Sequence, residues 1–475
     1  MRLQDDRLVQ DPCIALGQGE APFQVDTSRR SQSRGVSLSL LVNSPSKLRS
    51  NMSRKVSRPR ASFLTGQAAH NTGIKANNPL DSGGWDAFKA KEDNALPVWL
   101  KGAGYTTALI GKYQNRYGQQ SPWGAWLAWA GSLLNISFKG TTIGNPRDWV
   151  PPGWDLWYAF TGTRARYYDY AVNENGAILS FGHRPSDYST DILKDRAVAF
   201  ILCQAEKPNP FFLLIATKAV HAQGKRAVPA PQYVSAFEEV GLPVGPSFNE
   251  KDVSHKALKA APIGGESKAQ LTKAYRAELQ SLQSVDDLVE TVADALKRAG
   301  KLDDTVIIYT SDNGFLFGEH RLIGKSAAYE EAIKVPLVMS GPGIAKNETR
   351  AQLVNNLDVT ATIVDLAGAS PSMVLAGRSL APLFADANAP WRSAILLQSP
   401  INRFQMPHNR FTGTRTATRK YVKYDSGFEE LFDLAADPYE LNNEAANPAY
   451  AGDLAPRRSL NDRLNTCAGA SCWLP

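Results

Sequence analysis

Between about residues 97 and 343 short, wholly apolar runs alternate with longer amphipathic ones, and this alternation limits the possible folds more than any other feature of the chain. A run such as "PFFLLIATKAVH", apolar across its centre, suits a strand covered on both faces, whereas apolar residues three and four apart suit a helix with one buried stripe. Helices are expected over 97–104, stopped by Gly104, over "STDILKDRAVAFILCQAE", and over about 268–299, stopped by Gly300. Strands are expected in "YTTALIGKY", "PFFLLIATKAVH", "DDTVIIYTSDNG" and "KVPLVMSGPG". The alternation predicts an α/β fold with a mainly parallel sheet flanked by helices. From about residue 390, "RTATRKYVKY" and "EELFDLAADPYELNN" read as short strands followed by a helix-poor turn region, a smaller antiparallel subdomain.

In an open α/β sheet, ligands bind beyond the carboxyl ends of the strands, where loops converge. Lys112 follows one expected strand, His221 the next, and Asp312 with Asn313 the third, so three polar clusters reach one edge. Asp312-Asn313-Gly314 reads as a tight turn, and a turn at a strand end is also a mount for hard oxygen ligands. Carboxylate and carboxamide oxygens suit Ca²⁺ or Mg²⁺, and since two ligands do not hold such an ion, Asp5 and Asp6 are candidates for two more. Arg60, Lys112 and Lys325 add fixed positive charge, with His221 and His320 as proton donors or charge partners. A divalent ion among cations suits cleavage of an anionic ester, sulfate or phosphate, because charge moves onto its oxygens as the bond breaks.

Composition removes other classes. The chain of 475 residues carries a net charge of +7, but eleven Arg/Lys against five Asp/Glu fall within residues 1–60, leaving the remainder near neutral. No nucleic-acid partner is expected, since a basic surface would need that charge on the folded body. No run of eighteen apolar residues occurs, which argues against a membrane span, and "MRLQDDRLVQ" lacks the apolar core of a signal peptide. Cys467 and Cys472 in "CAGASC" can close a disulfide in an oxidising compartment or stay as two thiols. Trp123, Trp126 and Trp129, three residues apart, read as a buried helix stripe or as platforms for sugar rings.

Longer runs resemble the sulfatase family of the alkaline-phosphatase-like superfamily, in the branch that includes N-acetylglucosamine-6-sulfatases. They are "RASFLTGQAAHNTGI", "LPVWLKGAGYTTALIGKYQNRYG", "VPPGWDLW", "YYDYAVNENG", "YTSDNGFLFGEHRLIGK", "YEEAIKVPLVMSGPGI", "DPYELNN" and "CAGASC". The resemblance implies an alkaline-phosphatase-like catalytic domain over 1–385, with 1–59 atypical, and a smaller C-terminal antiparallel subdomain over 386–475. It implies Asp5, Asp6, Asp312 and Asn313 as ligands of one calcium ion, and Arg60 as a brace for the nucleophile. Lys112, His221 and Lys325 would hold the sulfate and assist the leaving group, with Asn115 and His320 as substrate contacts. A sulfated sugar or glycosaminoglycan substrate and an extracytoplasmic location are implied as well.

In that family a cysteine or serine oxidised to formylglycine attacks sulfur, a case of covalent catalysis. Here the matching place, four residues before Arg60, holds Val56, and no cysteine lies between Cys13 and Cys203. Ser57 would serve only if "SRPR" had lost one residue. The run "SKLRSNMSRKVSRP" over 46–59 departs from the family pattern and reads as a rewritten segment, of the kind a compensated frameshift or a misplaced gene boundary leaves. Three expectations follow: a calcium-dependent sulfuric ester hydrolase, a non-catalytic relative that binds sulfated glycans, or a phosphodiesterase or phosphonate hydrolase of the same superfamily.

Overall fold

The computed structural model describes residues 37–42, 52–53, 59–74, 76, 83–119, 146–162, 165–399 and 410–474. Asp5, Asp6, Cys13, Val56, Ser57, Trp123, Trp126 and Trp129 lie outside the described residues. One eight-stranded sheet dominates. Its strands are β1 (Ser37–Val42), β2 (Thr106–Gly111), β3 (Leu156–Phe160), β4 (Tyr170–Glu174), β5 (Ala177–Phe181), β6 (Phe211–Ala216), β7 (Thr305–Thr310) and β8 (Leu337–Ser340). Their order is β8-β7-β1-β6-β2-β3-β4-β5. The five central strands run parallel, and β8, β4 and β5 are antiparallel at the edges.

The expected strands form, and packing explains their composition. In β6 all six residues are buried, and they alternate between two cores. Phe211, Leu213 and Ile215 meet Leu193, Ala197 and Phe200 of one helix (Ser189–Cys203) and Leu288, Val292 and Ala295 of another (Gly265–Arg298). Phe212 and Leu214 face the opposite layer, built from the helices Pro59–Thr65, Leu96–Gly102 and Asn356–Leu366. A strand with helices on both faces has no polar face, which is why this run is apolar throughout. We label these helices α1 (Pro59–Thr65), α2 (Leu96–Gly102), α3 (Ser189–Cys203), α4 (Gly265–Arg298) and α5 (Asn356–Leu366). No described helix is long and apolar enough to cross a membrane.

A second sheet of four antiparallel strands, Ala394–Gln398, Phe411–Thr416, Arg419–Tyr424 and Glu429–Asp433, packs its inner face onto Tyr329, Ala332 and Ile333 of the main body. The antiparallel expectation for this region is met, but the turn region after it leads into a 15-residue helix, α6 (Ala451–Asn465). Pro456 inside that helix and its weak apolar stripe hid it from the sequence reading. Cys467 and Cys472 form a disulfide just beyond it, and Cys203 is disulfide-bonded too.

Candidate active site

The carboxyl ends of the parallel strands open into one cavity, lined among others by Arg60, Lys112, Lys218, His221, Glu278, Asp312, Asn313 and Lys325. Local backbone geometry delivers each group. Lys112 follows Gly111, whose φ is +115° and where a Cβ would stand 2.1 Å from the Ala216 carbonyl oxygen. Only glycine lets β2 end this close to β6, and the Lys112 N–H then donates to that same oxygen at 2.7 Å. After β7, Asp312 and Asn313 precede Gly314, where a Cβ would lie 2.0 Å from the Glu331 carbonyl oxygen. A short ladder pairing Leu316 with Gly324 and Phe317 with Ile323 then folds the chain back. It returns Lys325 to Asn313, with Nζ donating to Oδ1 at 3.0 Å. Arg60, on α1, donates from Nη2 to Asn115 Oδ1 at 2.9 Å, and its Nη1 lies 3.9 Å from Asp312 Oδ2.

The wall is strongly cationic, and its groups disturb one another. Burial first, then the charges of Arg60, Lys325 and Lys218, push the Lys112 ammonium well below the usual lysine range, with Asp312 opposing. Burial likewise lowers Arg60, again against the pull of Asp312. His221 reaches the open rim of the cavity, yet withdrawal from bulk water and the charges of Lys112, Lys218 and Lys325 push its imidazole down to about 3. Lys218 Nζ lies 3.2 Å from His221 Nδ1 and donates to the Ala222 carbonyl at 2.9 Å. His221 Nδ1 itself lies 2.9 Å from the Ala222 carbonyl oxygen, so this ring nitrogen faces both an ammonium and a carbonyl acceptor.

This electrostatics has a testable consequence for stability. The unfolded chain's imidazole takes up a proton near 6.5, whereas the folded one resists protonation down to about 3. Between those values the unfolded state binds more protons, so stability falls as pH drops through that window. Urea titrations from pH 7 to 4 should show a smaller acid loss in His221→Asn than in the parent chain. Equal slopes would mean that the cations do not act on His221.

Not every expected residue joins the cavity. Asn115 does not line it and acts on it through Arg60. His320 is fully buried elsewhere, stacked on Tyr329, with Nδ1 2.8 Å from Glu250 Oε2 and 2.7 Å from Lys256 Nζ. Burial opposes its charged form, but Glu250 and Glu331 outweigh it and raise its pKa. It lies seven residues past Asn313, but the chain reversal carries Lys325 to the site and buries His320. Lys218 and Glu278 are cavity residues that sequence reasoning missed. Lys218 sits three before His221 in "TKAVH", at a strand end, and that placement was a usable signal.

Asp312 and Asn313 offer a carboxylate and a carboxamide oxygen side by side at a strand terminus, donors suited to a hard divalent ion. They supply two of the six or so oxygens calcium takes, and Asp5 and Asp6 lie outside the described residues. Another convergence of metal-type ligands among the described residues is His320, Glu331 and Glu440, whose ligand atoms lie within 4.8 Å of one another. There Lys420 is already paired with Glu440 and Lys256 with Glu250, so side-chain ammonium groups supply the positive charge.

The sulfatase family model matches residues 53–369, and a model of the N-sulphoglucosamine sulphohydrolase C-terminal region matches 318–467. The chain is 34% identical over 460 residues to N-acetylglucosamine-6-sulfatase of Homo sapiens, covering 88% of this chain and 77% of that one. It is 26% identical over 463 residues to an N-acetylglucosamine-6-O-sulfatase of Bacteroides thetaiotaomicron, covering 82% and 74%. A solved protein in complex with its substrate D-glucosamine-2-N,6-O-disulfate superposes with a TM-score of 0.69 at 22% identity, covering 90% of this chain and 97% of the other.

Proposed function

The chain belongs to the sulfatase family, and from that premise we propose that it hydrolyses the sulfate ester of a sulfated sugar, with a 6-O-sulfated N-acetylglucosamine unit as the candidate substrate. The observation that carries this reading is the cavity itself: Arg60, Lys112, Lys218 and Lys325 surround an oxygen-donor pair at the carboxyl ends of parallel strands. Positive side chains held in place before substrate arrives suit an anion whose charge shifts during the reaction. Lys112 and Lys325 would bind sulfate oxygens, and Arg60 would brace the attacking group. His221, at the cavity rim, would face the ester oxygen and make a hydrogen bond with the bound sugar sulfate, without giving up its ring proton. Asp312 and Asn313, with Asp5 and Asp6, would hold a calcium ion, which when bound supplies further charge neutralisation at the sulfate. The Cys467–Cys472 disulfide supports a location in an oxidising, extracytoplasmic compartment.

A second reading is a relative that binds sulfated sugars without turning them over, and the observation that favours it is Val56 at the nucleophile's place in the sequence. Sulfate release from N-acetylglucosamine-6-sulfate, followed by ion chromatography, separates the two. Release that saturates with substrate supports hydrolysis, and binding with no release supports the second reading. Faster cleavage of a matched phosphonate ester would overturn both. Peptide mapping of residues 50–60 identifies whether a formylglycine is present.

A further inference from the structure

We propose that Glu278 is a specificity-determining residue whose carboxyl contacts the sugar beside the sulfate ester, at a hydroxyl or acylamino oxygen, rather than the sulfate. The inference rests on the sulfated-sugar reading of the cavity. Glu278 lines the same cavity as Lys325 and His221 but comes from the middle of α4, a different element from those that carry the cations.

Its neighbours on the helix have other tasks. Ala277 and Ser281 are buried in the interior, and Tyr275 packs edge-on against Phe317. Arg276 Nε donates to the Val240 carbonyl at 2.7 Å, and Gln280 Nε2 donates to the carbonyls of Val234 and Ala236 at 2.7 and 2.8 Å. The carboxyl of Glu278 has no hydrogen-bond partner among the described residues, and the nearby charge acting on it is Lys325. A carboxyl that lines the cavity, partly withdrawn from water and without a protein partner, keeps its hydrogen-bonding capacity open to a ligand there. Burial pushes it up to about 8 against the opposing charge of Lys325, so near neutrality it carries a proton and can donate to an uncharged oxygen. Four cationic side chains on the other walls already suit the sulfate, which leaves this acid to the uncharged part of the substrate.

The test compares two ligands by isothermal titration calorimetry on the full chain: N-acetylglucosamine-6-sulfate and inorganic sulfate. Glu278→Ala is expected to weaken the sugar sulfate by about five- to tenfold and to leave inorganic sulfate within about twofold, the loss of one hydrogen bond. Glu278→Gln keeps a donor and should bind the sugar sulfate within about threefold of the parent. Equal weakening of both ligands in Glu278→Ala, or no change in either, overturns the proposal. A parent chain that binds neither ligand, or only inorganic sulfate, instead overturns the sulfated-sugar reading and this inference with it.

Discussion

Lys325→Ala is expected to lower sulfate release from a sugar 6-sulfate by about 10²–10³-fold with little change in the thermal midpoint. The side chain is only partly buried, so its removal leaves no large cavity in the core, but two functional contacts go with it. Asn313 Oδ1 loses the Nζ donor that fixes it at 3.0 Å, and the cavity loses one positive charge. The same charge is one of three lysines that depress His221, so the variant's imidazole should titrate at a higher pH than the parent's. That shift, read from the histidine proton resonances, needs no turnover. Where the parent chain binds sulfate without releasing it, the same substitution is read as weaker sulfate binding. Parent-like release and binding in Lys325→Ala would remove this lysine from the site. Lys325→Arg should restore charge to the cavity but not the single-point contact to Asn313, because a planar fork does not reproduce a compact ammonium.

Much of this site is legible in the sequence, for a physical reason. A fully apolar run is a strand only when helices cover both faces, and parallel strands covered in that way send their carboxyl ends to one edge. Lys112, His221, Asp312 and Asn313 each follow such a run, and they share one cavity. What the sequence hid was governed by tertiary packing. Glu278 looks like any acid on an amphipathic helix, and only the placement of α4 against the strand ends shows that it faces the cavity. His320 reads as a site residue by proximity to Asn313, yet its pairing with Glu250, seventy positions earlier, draws it into the interior. The β4–β5 hairpin carries a local signal in its turn residues. Asn175 and Gly176 form its two-residue connection with φ of +47° and +99°, the turn for which Asn-Gly pairs are favoured. That hairpin and the antiparallel edge strand β8 make the sheet mixed at its margins while its centre stays parallel.

Arg392→Ala is expected to have the largest effect on stability, about 3–5 kcal/mol, the cost of leaving a buried charge without its partner. Arg392 Nη2 donates to Asp358 Oδ1 at 2.6 Å, and the two side chains are 1% and 0% exposed. Asp358 also accepts from the Arg378 and Asn355 backbone N–H groups at 2.8 and 2.7 Å, the second closing the capping box that starts α5. Burial raises the Asp358 pKa, with Arg392 as the first group opposing it, so removing the guanidinium drives the carboxyl towards protonation or the helix start towards fraying. An exposed pair gives the contrast: Lys101 and Asp155 approach to 2.7 Å, but with Lys101 54% exposed, Lys101→Ala should cost about 1 kcal/mol or less. Urea denaturation of both variants measures the difference, and equal midpoints would show that burial does not distinguish the pairs. The double variant Arg392→Met with Asp358→Asn should recover part of the loss, because no bare charge then remains in the interior. The consequence extends to the site, since α5 carries Val359 on the cavity wall and its Thr360 Oγ1 donates to the Phe63 carbonyl of α1 at 2.6 Å. Arg60 stands on that same α1, so Arg392→Ala should weaken sulfate binding only at temperatures where α5 loosens, and leave it intact well below the new midpoint.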